Sequence, residues 1–129
     1  MMIFGLLAVL FVSCHQETLE ERAQREFQEF TRKYCPQEQG NNVILDSVVF
    51  DKESRTLIEY SRATKENDNE ELISSKKAEL DEGIIKLTRQ NMNYKRLRDA
   101  GFSFRYILRS DSTSKVLYDK TVTKDDYGY

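Results

Sequence analysis

Histidine occurs once, at His15, and that scarcity removes more chemistry than any other feature of the chain. Without a second imidazole inside a folded domain there is no Ser-His or Cys-His pair and no His/Cys metal cluster. Tryptophan is absent, Pro36 is the one proline, and the five glycines are too scattered to cradle a phosphate. Cysteine is limited to Cys14 and Cys35. An excess of either charge is missing too: 20 Lys and Arg stand against 22 Asp and Glu. No clustered basic face follows from that balance, so no nucleic-acid partner is expected. The sequence therefore nominates no catalytic residue, no cofactor and no metal ligand. Paired carboxylates stay open, because their separation in space is not written in the order of residues.

Long apolar runs are also lacking, with a single exception at the start. Ile3 to Val12 is apolar, broken only by Gly5, and is followed by Ser13 and Cys14; from His15 onward the chain is polar and densely charged. A secretory signal has an apolar stretch of roughly 7–15 residues, whereas spanning a bilayer takes about 20. The run suits the first role and is too short for the second. Ordinary secretory cleavage and a buried N-terminal strand are alternatives, although bulky Phe11 disfavours the small-residue cleavage site.

A small residue directly before a cysteine, behind a short apolar core, resembles the lipobox of bacterial lipoproteins. That resemblance implies cleavage after Phe11, Val12 and Ser13, with Cys14 becoming the lipidated first residue. A separate argument concerns the two cysteines. Thr18 to Tyr34 reads as a helix about 25 Å long, while a disulfide needs Cα atoms roughly 4.4–6.8 Å apart. If the helix forms, Cys14 and Cys35 cannot pair, and lipidation gives Cys14 a different purpose. Residues 1–13 are then a signal peptide, residues 14–17 the lipidated cysteine with a short tether, and residues 18–129 a single α+β domain. Such a tether reaches about 13 Å when extended, which would hold the domain almost on the membrane surface.

Thr18-Leu19-Glu20-Glu21 reads as a capping box, followed by Leu19, Ala23, Phe27, Phe30 and Tyr34 on one helical face. Cys35-Pro36 should stop that helix, leaving Cys35 as a partly buried thiol at its end. Gln37 to Asn42 reads as a polar loop. Val43 to Phe50 and Thr56 to Arg62 form a hairpin around Asp51–Ser54. Asn67-Asp68-Asn69-Glu70 lacks the glycine and alternation of an EF-hand and reads as a solvated loop. Glu70 to Gln90 is a second helix with Ile73, Leu80, Ile84 and Leu87 on its apolar face. Gly83 within it suggests close approach of another element. Tyr94 to Ala100 gives one or two further helical turns, and Gly101 falls at a left-handed cap.

Phe102, Phe104, Tyr106 and Leu108 alternate with polar and charged residues, and Lys115 to Thr123 returns as a partner strand. The aromatic face is expected against the helices, with Arg105, Arg109, Asp119 and Thr121 nearer solvent. Lys124 to Tyr129 reads as a tail. The order helix, hairpin, helix, hairpin predicts an α+β fold with a four-stranded antiparallel sheet packed on one face by two helices.

Four segments carry a second resemblance: Leu45-Asp46-Ser47-Val48, Leu57 to Tyr60, Asp99-Ala100-Gly101-Phe102 through Tyr106, and Val122 to Tyr127. They are similar to a pattern in small uncharacterised exported proteins of Gram-negative bacteria, a family with no assigned activity and no catalytic residues. The reading that follows is a lipid-anchored protein of the cell envelope, on a periplasmic or outer-membrane face. It would touch the membrane through lipid on Cys14 and serve as a non-catalytic accessory domain for an envelope protein partner. The alternative is a periplasmic binder of a small molecule or glycan in an aromatic cleft. A filled interior is expected under the first reading.

Overall fold

The computed structural model describes residues 16–128. Helix α1 spans Leu19–Tyr34, and its start is the capping box read from the sequence. The Glu21 amide donates to the Thr18 hydroxyl at 3.1 Å, and the Thr18 amide donates to the Glu21 carboxylate at 3.1 Å. Glu20 and Glu21 in the first turn and Arg32 and Lys33 in the last complement the helix dipole. Ala23 is completely buried; its small side chain lets the helix approach the core closely. The helix ends at Cys35, where the peptide to Pro36 is cis.

Gln37 to Asn42, expected as a loop, instead begins with a strand, β1 (Gln37–Gly40), which pairs antiparallel with β2 (Val43–Asp51). Asn41 and Asn42 both hold positive φ, 53° and 59°, the conformation that a two-residue hairpin turn requires. Strand β3 (Thr56–Ala63) pairs antiparallel with β2, with an irregularity between Leu45 and Ser47.

The chain then leaves the sheet. It passes through a 3₁₀ turn (Lys65–Asn67), α2 (Glu70–Ser75), α3 (Lys77–Gln90), a second 3₁₀ turn (Met92–Tyr94) and α4 (Lys95–Asp99). The single helix expected over Glu70 to Gln90 is broken at Lys76, whose φ and ψ are −102° and 11°. Gly101 takes the left-handed conformation expected of it, φ 79°. Strand β4 (Ser103–Ser110) runs parallel to β3, with Thr56 beside Ser103 and Ala63 beside Ser110. Strand β5 (Val116–Val122) closes the sheet antiparallel to β4. The residues expected as a tail include α5 (Lys124–Tyr127), and Tyr127 is 1 % exposed, donating to the carbonyls of Phe102 and Arg98.

The expected four-stranded antiparallel sheet is thus overturned. The sheet has five strands in the order β1-β2-β3-β4-β5 and is mixed, and there are five α-helices, not two, among the described residues. The physical reason is the route from β3 to β4. Local alternation identifies strands but not their direction, and a crossover long enough to carry helices can return the chain to the end where β3 began.

Three rows of side chains cross the inner face of the sheet. The first, Phe50–Leu57–Phe104–Val122, is in register across four strands, and each member is at most 1 % exposed. Burying side chains of this size contributes about 1.5–3 kcal/mol apiece. Around this row the rings of Phe50 and Phe102 lie 5.4 Å apart, Tyr94 stacks on Phe104 at 5.2 Å, and Tyr127 meets Phe104 edge-on at 5.8 Å. On the outer face Arg105 pairs with Asp119 at 2.6 Å, both partly solvent-exposed, as the alternation predicted.

Candidate binding groove

The second and third rows of the inner face are Val48–Glu59–Tyr106–Lys120 and Leu45–Ser61–Leu108–Tyr118. Both contain polar residues, and the helices do not seal them as they seal the first row. Over them lies a groove of about 500 Å³, open to solvent along one side. Its floor is Glu59, Ser61, Tyr106 and Leu108, and Val43 and Gln39 form one wall. The other wall is α3, through Leu80, Ile84 and Leu87. Their spacing of four and then three residues puts them on one helical stripe. The sequence marks these three as a core face, yet Leu87 is 64 % exposed. The expectation of a filled interior holds for the cluster around Phe104 and fails here.

Arg98 fixes the end of the α3 wall. It is 4 % exposed, and its guanidinium donates to the carbonyls of Thr88, at 2.8 Å, and Asn91. It thereby satisfies oxygens that a helix C-terminus leaves without partners. Thr88 is fully buried, and its hydroxyl lies 2.6 Å from that of Tyr106. On the β5 side Tyr118 donates to Asp81 of α3 at 2.6 Å. That bond, with help from Lys77, holds the Asp81 carboxyl below its ordinary range. The helix is therefore tied to the sheet at both ends of the groove by hydroxyl groups.

Glu59 is the sole charged side chain among the residues lining the groove. The Tyr94 hydroxyl donates to its Oε2 at 2.5 Å. No Lys or Arg among the described residues forms an ion pair with it. Burial holds its carboxyl above the ordinary glutamate range, and the Tyr94 hydrogen bond offsets only part of that. Burial likewise pushes the Tyr94 phenol far above its usual value, reinforced by the Glu59 charge, and burial also raises Tyr106. Sequence reasoning missed Glu59. The one signal was its alternation with Leu57 and Ser61, which puts a carboxylate on the face that Leu57 buries.

The residues nominated from the sequence for cleavage and lipidation, Phe11, Val12, Ser13 and Cys14, lie outside the described residues, as does His15. Cys35 is a half-buried free thiol whose pKa is raised by burial and by the charges of Asp46 and Glu59. The acidic stretch read as a loop is tied down. Asp68 accepts from the amide and hydroxyl of Ser112, at 3.0 and 2.8 Å, and from Ser110, while Asn69 caps α2. Among the described residues no group of three His, Cys, Asp or Glu side chains is placed to hold a metal ion, and no helix is long and apolar enough to cross a membrane. The groove holds one carboxylate, where glycoside-type acid and base chemistry would need two.

Solved structures share this fold. The PA3611 protein of Pseudomonas aeruginosa, described as secreted, superposes with a TM-score of 0.68 at 10% identity, over 88% of this chain and 100% of that one. EpsS, the pilotin of the Vibrio vulnificus type 2 secretion system, gives 0.60 at 15% identity over 86% of this chain and 93% of its own. AspS, the type II secretion system pilotin of Vibrio cholerae, gives 0.56 at 18% identity over 84% and 91%. At these identities the likeness establishes a shared fold.

In sequence, residues 18–118 match the family described as a domain of unknown function, DUF8479, and the chain belongs to it. No curated protein matches the sequence.

Proposed function

We propose that this protein is a lipid-anchored accessory protein of the bacterial cell envelope whose groove receives an apolar segment of an envelope protein. Cys14 is its membrane attachment, with Phe11, Val12 and Ser13 as the cleavage-site residues, and the domain works by binding, without catalysis. The observation that carries this reading is the apolar stripe Leu80–Ile84–Leu87, half-buried at Leu80 and Ile84 and exposed at Leu87, facing a sheet floor across an open channel. An amphipathic helix laid into an apolar groove is a recurring mode of peptide recognition. The fold adds support, since two proteins that share it are pilotins of type II secretion systems.

A second reading has one observation in its favour. A volume of about 500 Å³ lies within the range of small-molecule pockets, and Tyr106 and Tyr118 contribute aromatic surface to it.

One experiment separates the two. A photo-crosslinking residue is placed at position 87 in cells, with position 116 on β5 as control, and the adducts are mapped by mass spectrometry. The protein-binding reading expects a defined apolar peptide from an envelope protein at position 87, lost on Ile84→Asp. Adducts no different from the control would overturn it. The anchor is tested separately: Cys14→Ser should move the protein from the membrane fraction to the soluble fraction, and an unchanged distribution would remove lipidation from the proposal.

A further inference from the structure

The groove has a chemical asymmetry that its apolar walls do not explain. Its floor carries a carboxylate, yet the remaining lining is neutral: Leu, Ile, Val, Tyr, Ser, Gln and Asn. A partly buried carboxylate is normally matched by a cation, because moving an unpaired charge out of water is costly. Here the sole hydrogen bond to Glu59 among the described residues comes from the neutral hydroxyl of Tyr94, at Oε2. No described side-chain polar atom is both buried and without a partner, so Oε1 keeps some solvent access, and Glu59 is a lining residue of the groove.

Neither Lys120 nor Arg98 forms an ion pair with Glu59. Lys120, two strands away in the same row, exerts its charge on Asp81. The Arg98 guanidinium faces the carbonyls of Thr88 and Asn91.

Resting on the docking reading above, we propose that the groove selects a segment whose apolar face bears one lysine, with the ammonium group meeting Glu59 Oε1. A lysine suits the geometry on two counts. Its four-carbon stem can lie along Leu80, Ile84 and Leu108 while its head reaches the floor. With Oε2 already holding Tyr94, the single open oxygen matches a point-like ammonium donor better than the two-pronged guanidinium of arginine. Occupation removes the electrostatic mismatch of the empty groove, so the charge serves specificity as well as affinity.

The test uses two synthetic amphipathic helical peptides of identical composition. One has lysine at the centre of its leucine face and glutamine on the outer face; the other has the two exchanged. Equal net charge cancels general attraction to the acidic protein. Affinities are measured by titration, and the site of binding by NMR shifts at Leu80, Ile84 and Leu87.

The lysine-in peptide should bind wild type at least about tenfold more tightly than the lysine-out peptide. The difference should vanish in Glu59→Gln, which keeps an acceptor for Tyr94. If both peptides bind in the groove with equal affinity, the lysine preference is overturned and docking stands. If neither binds there, both proposals fall. A difference that persists unchanged in Glu59→Gln would assign the preference to another group and overturn the role of Glu59.

Discussion

Thr31 and Val48 exchange two hydrogen bonds: the Val48 amide donates to the Thr31 hydroxyl at 2.9 Å, and that hydroxyl donates to the Val48 carbonyl at 2.8 Å. One side chain on α1 thus does for a single residue of β2 what a neighbouring strand would do. The need arises because β1 is only four residues long and pairs with β2 no further than Leu45. Beyond that point β2 would present open backbone groups, the usual starting point for edge-to-edge association.

Thr31→Val keeps the shape and removes both bonds. It should destabilise the protein by about 1–3 kcal/mol, since an amide and a carbonyl lose their partner in a part-buried setting. Thr31→Ser should stay close to wild type. Urea denaturation measures both, and an unaltered midpoint in the valine variant would contradict this account of the β2 edge.

Gly83 gives a change in the other direction. The sequence suggested a close approach of another element, but a Cβ built there meets nothing within 4 Å. Gly83 therefore keeps only the entropic cost of glycine within a helix. Gly83→Ala should stabilise the fold by about 0.5–1 kcal/mol, read as a raised thermal midpoint.

Glu59 should make stability depend on pH with an unusual sign for a carboxylate. Its pKa is raised in the folded protein, by burial first. Its contribution is complete below the ordinary glutamate value of 4.5, is eroded as pH climbs from there through the raised value, and is absent above it. Glu59→Gln should therefore have a higher midpoint than wild type at pH 7, with the gap closing by pH 4. The groups that face Glu59 leave this window undisturbed. Tyr94 and Tyr106 are pushed upward from their ordinary phenol values, and the Cys35 thiol is raised too.

Leu87 separates binding from folding. Because it is 64 % exposed, Leu87→Asp should alter stability by no more than about 0.5 kcal/mol while weakening the titrated binding of the lysine-in peptide at least about tenfold. A large loss of stability would mean that this residue is part of the core in solution.

Cys35 should be a sluggish thiol. Burial, followed by the charges of Asp46 and Glu59, disfavours its thiolate, and the thiolate is the reacting species. At pH 8 its alkylation by iodoacetamide in the native protein should be several-fold slower than in urea-unfolded protein. Equal rates would show the site to be open.

What could be read from the residues was whatever short-range chemistry writes. The Thr18–Glu21 box, the alternation from Phe104 to Leu108 and the left-handed Gly101 all survive, because each depends on neighbours a few positions away. Strand β1 escaped because Gln37, Glu38 and Gln39 carry no apolar alternation; its only mark was the Gly40-Asn41-Asn42 turn. Tyr127 looked like part of a tail because its burial depends on Phe102 and Phe104, distant in sequence. The groove was hidden for a related reason. Leu80, Ile84 and Leu87 announce an apolar stripe, but not whether anything covers it. Glu59 looked like any charged residue in a strand until Tyr94 was found above it.

The parallel seam between β3 and β4 has a consequence for mechanics. Had those strands run in opposite directions, a short turn could have joined them. Running the same way, they oblige the chain to travel back along the sheet before β4 can begin, and part of that return journey is the α3 wall. The splint that joins the two halves of the sheet is therefore also the jaw of the groove. A substitution that shifts this helix therefore alters the groove and, through the Tyr118–Asp81 bond, the β5 edge of the sheet together.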